Sequence, residues 1–170
     1  MSAARTFRAA GPAELFPAAQ VFADTDGDGL PDRLGLFLAV DRRLTHPAVW
    51  AAAANLAMRL AAEVAAFDPP IVRSPGRLPA GACLLAIQAP DSRDPSPARI
   101  EREGALRLRL RGSSPPAMAE LLQAIACGAG GRVPPEGWRR LELAPGPVSF
   151  AVFRDRRGRP IARRRLPRPA

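Results

Sequence analysis

The sequence predicts an α+β fold, an α/β sandwich in which two main helices lie on a mixed sheet. Three observations carry that expectation. An alanine-rich amphipathic stretch at 47–67 follows a short apolar run at 33–40. Residues 105–111 alternate cleanly, with Leu106, Leu108 and Leu110 on one side and Arg107, Arg109 and Arg111 on the other, the period-2 pattern of a half-buried strand. A second amphipathic stretch, with Met118, Leu121, Leu122 and Ile125 at helical spacing, comes directly after it.

Taken in order, the elements run β-α-β-β-β-β-α and then a β-rich C-terminal extension. Residues 33–40 are apolar on both faces (Leu34, Leu36 and Leu38; Phe37 and Ala39), which predicts a central strand covered on both sides. Pro47 suits the first turn of a helix, with Thr45 or His46 as its cap. Val49, Ala53, Leu56, Leu60 and Val64 form the apolar stripe of that helix, widened by Trp50, while Asn55, Arg59 and Glu63 mark its wet face. Asp68-Pro69-Pro70 ends it, and Ile71-Val72 begins a short strand. Residues 82–88 read as another strand, and 99–102 with 105–111 read as a hairpin turning at Glu103-Gly104. Ser113 or Ser114 caps the second helix, with Pro115 and Pro116 in its first turn. A Gly-rich connector at 128–137 leads to strands near 141–143 and 148–153, a turn at 155–158 and a return at 161–166. The organisation expected is an N-terminal arm at 1–23, one α/β domain at 24–153 and an Arg/Pro-rich arm at 154–170, with Pro160 at an edge position.

Composition removes several function classes. All 25 basic residues are arginine, so Schiff-base chemistry, pyridoxal-phosphate attachment and a Walker lysine are excluded. His46 is the sole histidine, which leaves no histidine-based triad or zinc cluster. Glu101 and Glu103 are carboxylates near one another, but they lie among arginines and read as ion pairs rather than an acid–base couple. No catalytic residue is assigned, and the chain is read as a non-enzyme. Cys83 and Cys127 are too few for a disulfide scaffold and sit in apolar stretches, as buried thiols do. No apolar run is long enough to span a bilayer. The first residues lack a secretory h-region, so a cytoplasmic location is expected unless a partner exports the chain. Residues 154–170 hold eight arginines against one aspartate, so +7 of the net +9 belongs to them. That tail fits either an arm docked on an acidic partner or a nucleic-acid contact.

One motif carries chemistry. Residues 24–32 read Asp-Thr-Asp-Gly-Asp-Gly-Leu-Pro-Asp. Calcium takes six to eight oxygens in a flexible shell. Asp24, Asp26 and Asp28 at alternate positions of a tight loop converge on one point, Gly29 permits the sharp turn, the carbonyl of Leu30 adds an oxygen, and Asp32 contributes directly or through water. The competing reading is an acidic surface turn. The loop resembles the calcium loops of EF-hands and dockerins, and most closely those of thrombospondin type 3 repeats. It departs from the EF-hand pattern at the twelfth position, where Gly35 replaces the bidentate Glu, so a static structural ion is expected rather than a sensor. Asp41 is a candidate for completing the shell. A strand ending at Gly112 before a Ser/Pro-capped helix is also similar to small, non-catalytic α/β accessory domains of glycoside hydrolases. Together these imply a calcium-stabilised accessory module or small subunit bound to a larger protein. The alternative is a nucleic-acid-binding module using the Arg-rich tail.

Overall fold

The computed structural model describes residues 15, 21–62, 64, 82–126, 135–144 and 150–165. Two helices and two sheets make up this part, an α+β arrangement as expected. A small antiparallel pair, β1 (Phe22–Ala23) and β2 (Arg33–Leu34), brackets the acidic loop. The main sheet has seven strands: β3 (Leu36–Val40), β4 (Cys83–Ile87), β5 (Arg99–Arg102), β6 (Arg107–Arg111), β7 (Arg140–Ala144), β8 (Phe150–Arg154) and β9 (Pro160–Arg165). Their order across the sheet is β3-β4-β6-β5-β7-β8-β9. β3, β4 and β6 are parallel neighbours, and every pair from β6–β5 onward is antiparallel.

The apolar run expected as one central strand is two strands with Gly35 between them. The Gly35 amide donates to the carbonyl of Val21, the residue before β1 (2.7 Å), while its own carbonyl accepts from the Cys83 amide of the large sheet (2.8 Å). β3 lies at an edge of the described sheet, not its centre. Apolarity on both faces misleads here because Ala39 is buried and Phe37 half-buried on the side away from the core, so the edge carries central-strand composition.

Register explains where the core sits. Leu36, Leu38 and Val40 stand opposite Cys83, Leu85 and Ile87. Leu85 and Ile87 face Leu108 and Leu110, and the line continues through Ile100, Leu141 and Phe153. All of these join one apolar cluster with the buried stripes of helix α1 (Pro47–Ala61) and helix α2 (Pro115–Ala126). Both helices therefore pack on the same face, side by side. Val49, Ala53, Leu56 and Leu60 of α1 and Met118, Leu121, Leu122 and Ile125 of α2 are the residues buried there, as the sequence periodicity predicts. Trp50 is instead exposed, its indole N–H donating to the Leu44 carbonyl at 2.8 Å. Asn55, on the wet side, donates to Gln123 of α2 at 3.2 Å. Pro47 stands in the first turn of α1 after His46, which makes no side-chain cap. The Ser114 hydroxyl accepts weakly from the Ala117 amide, 3.4 Å, at the start of α2.

Cys83 is fully buried on the core face, and burial pushes its thiol up to about 11. The expected hairpin at Glu103-Gly104 is present: the Glu103 amide donates to the Arg107 carbonyl. The turn at 155–158 is also present, with Gly158 at φ 78° and the Asp155 carboxylate accepting from the Arg157 and Arg159 amides. Pro160 opens edge strand β9, where its missing N–H costs no ladder bond. Helix α1 ends at Ala61 with Ala62 as its C-cap, short of the expected 67, and Val64 lies beyond it, half-buried against the core. Residues 65–70, the strand at 71–72, Cys127 and the connector at 128–134 lie outside the described residues. Among the described residues no helix is long and apolar enough to cross a membrane.

Candidate metal loop and arginine face

The acidic loop is held by its own side chains. Asp24 accepts from the Gly27 amide (2.6 Å) with one carboxylate oxygen and from the Gly29 amide (2.9 Å) with the other. Asp26 accepts from the Asp28 amide, and Asp28 from the Leu30 amide at 2.7 Å. Gly27 and Gly29 take φ of 80° and 88°, left-handed values that side-chain-bearing residues rarely adopt. These turns bring one carboxylate oxygen each of Asp24, Asp26 and Asp28 to within 4.8 Å of one another, all exposed. Two oxygens on one calcium at its usual ligand distances lie at most about 5 Å apart, so the spacing suits such an ion. Amide bonds do not exhaust a carboxylate, which offers about four lone-pair sites.

Asp32 and Leu30 make further contacts within the loop. The Asp32 carboxylate accepts from the amide of Thr25 (3.1 Å) and from its hydroxyl, and it is not part of the three-carboxylate group. The Thr25 hydroxyl and amide hold the Asp32 carboxyl below the usual carboxylate range. Its own amide donates to the Ala23 carbonyl, so Asp32 closes the loop onto β1. Leu30 enters through its amide, and its side chain is exposed. Asp41 is bound in a turn with Arg43, at 2.8 Å. That guanidinium holds the Asp41 carboxyl far below its ordinary range.

The second feature is the sheet face opposite the helices. Cross-strand register lines up Arg109 with Glu101, Arg111 with Arg99, Glu101 with Arg140, Arg99 with Glu142, and Arg140 with Arg154. Arg99 is buried, with Nε on Glu101 and Nη2 on Asp94, both at 2.8 Å. Arg154 Nε meets Glu142 at 2.7 Å, and Arg109 meets Glu103 at 2.6 Å. Arg111 and Arg140 approach Glu101 only to 3.7 Å. Arg99 Nη1, Arg109 Nε and Arg111 Nε are buried without an acceptor. Arg99 is the main cause that draws the Asp94 carboxyl down to about 2.

The chain matches no known protein family, no characterised protein and no solved structure. Its functional reading therefore rests on these two features.

The period-2 pattern marks Arg107, Arg109 and Arg111 as one side of a strand, but it does not single out Arg99, Arg140, Arg154 and Glu142. Their signal was present: Arg99-x-Glu101 and Arg140-x-Glu142 repeat the two-residue spacing of a strand face. Which strands are neighbours, and hence which pairs meet, is not written in any one segment. Trp138 and Phe153 are buried and stack edge to face at 5.8 Å. Phe150 lies under the Arg163 guanidinium at 4.0 Å.

Proposed function

We propose that the chain is a non-catalytic, calcium-stabilised accessory module that binds a larger protein. The observation that carries this reading is the carboxylate group of Asp24, Asp26 and Asp28, drawn within 4.8 Å by a loop with two left-handed glycines. Calcium there would join the loop's three carboxylates and leave the β1–β2 pair locked behind it. Such an ion supplies charge neutralisation and rigidity, and no reaction step is assigned to it. The carboxylates of the sheet face are held by arginines and the one histidine lies at the start of α1, which supports a binding role over acid–base chemistry.

Calcium binding to the folded state alone raises its stability by mass action. At a hundredfold excess over Kd the gain is about 2.7 kcal/mol, or about 5–10 °C in Tm for a chain of this size. Thermal melts in millimolar calcium against a chelator should show that rise, and Asp26→Asn should abolish it. Equal melting curves would end the calcium reading. Purification of the untagged protein from its source, with mass spectrometry of what co-elutes, tests the accessory role. A stoichiometric larger partner supports it, and a lone monomer overturns it.

A further inference from the structure

Among the described residues, the sheet face opposite α1 and α2 has more guanidinium groups than carboxylates to receive them. Arg99, Arg107, Arg109, Arg111, Arg140 and Arg154 share it with Asp94, Glu101, Glu103 and Glu142. Each guanidinium carries five donors in a planar fork. Arg107 is exposed and makes no ion pair among the described residues, and Arg111 makes no hydrogen bond, only its 3.7 Å approach to Glu101. Arg111 and Arg99 stand directly opposite each other, an unfavourable pairing of like charges that Glu101 bridges only in part, at 2.8 Å from Arg99 and 3.7 Å from Arg111. The outer ends of the lattice remain accessible, with side-chain exposures of 37% for Arg111 and 40% for Arg140. A cleft of about 400 Å³ continues it at the β5–β7–β8 end, where Arg102, Arg139, Arg140 and Arg156 line the walls with Glu101, Glu103 and Asp155. Outside the described residues the chain has only Glu14, Glu63 and Asp68 as acidic side chains, so it is poor in carboxylates of its own for these donors.

We infer that this face, with the adjoining cleft, binds an extended acidic segment of the partner protein through its Glu and Asp side chains. The inference rests on the partner-binding reading above and names the chemistry of the partner. A carboxylate accepts a guanidinium fork through two parallel bonds. Arg107, Arg109 and Arg111 repeat every second residue along β6, the spacing at which an extended peptide presents alternate side chains. A nucleic acid fits less well. Trp138 and Phe153 are buried where no base can stack on them.

The test uses the full chain and a fluorescently labelled peptide of alternating Glu and Ser, read by anisotropy, with an oligothymidylate of equal net charge as comparator. Peptide binding should weaken about tenfold in the R109Q/R111Q double variant, the loss of charge-assisted bonds to carboxylate. It should be unchanged in R42Q, which alters the exposed turn before α1. In the wild-type protein, independent of any folding defect in the variant, the side-chain Nε–H resonances of Arg109 and Arg111 should shift as the peptide is added. Unchanged binding in a folded R109Q/R111Q, static Arg resonances, or tighter binding of the oligothymidylate than of the peptide would each overturn the inference. A co-purified partner with no peptide binding refutes this surface and leaves the accessory role standing. Peptide binding with no calcium response removes the calcium loop alone.

Discussion

Asp94 lies outside every strand, yet it anchors the most buried arginine of the sheet face. Its carboxyl, drawn down to about 2 chiefly by the hydrogen bond from Arg99, is more readily protonated in the unfolded chain, where a carboxylate of this type titrates near 3.9. The folded-state value is the lower one. The contribution to stability is therefore present above about pH 4 and fades as pH falls through about 2. Urea midpoints of the wild type and Asp94→Asn should differ by a constant amount at neutral pH and converge in acid across that window. A difference that persists at the acid end would refute the linkage. At this scale the turns of the acidic loop were the most legible part of the sequence, because Asp and Gly at alternate positions dictate local turns. The turn bonds of Asp24, Asp26 and Asp28 are of that local kind. The position of Asp32 was not legible, since its preference for Thr25 depends on how the loop closes on β1.

Gly112 shows how a single position governs the passage from one element to the next. It follows β6 and precedes α2, and a Cβ there would lie 3.0 Å from the Ala98 Cα and 3.2 Å from the Met118 Cγ. Backbone on one side and a buried methionine on the other leave little room to yield. Gly112→Ala should cost about 1–3 kcal/mol as an overpacked contact, seen as a lower denaturation midpoint. A wild-type midpoint would show that the strand–helix junction relaxes freely. The helices and the β5–β6 hairpin were readable because their periodicity is local and their turn residues punctuate them. The place of β3 was not readable, because an apolar strand looks the same at the centre and at an edge. β9 was visible as a return after the turn at 155–158, although its arginines also suggested a separate arm. Pairing with β8 places Val152 opposite Arg163 and Phe150 opposite Arg165, so the aliphatic stems of these arginines cover apolar neighbours while their charges stay in water.

Across the whole molecule, the proposed calcium response would begin in the smaller sheet. The acidic loop belongs to the β1–β2 pair, whose Phe22 and Leu34 reach the core cluster that β3 through β8 build with both helices. In hydrogen exchange, chelation should accelerate the amides of Thr25, Gly27, Gly29 and Leu30 and leave those of β4 and β6 unchanged. Acceleration spread evenly over the main sheet would mean that the ion stabilises the entire fold. The arginine face emerges only at this scale, because its members come from four strands whose order the sequence does not state. Gly35 joins the two sheets, and its position has a mechanical consequence. When the chain is drawn out from the N-terminal side of β1, the strain falls on the Val21–Gly35 hydrogen bond and on the core contact of Phe22. The β1–β2 pair then opens like a zipper, one bond at a time, toward the loop. An ion held there would be that pair's last fastening to part.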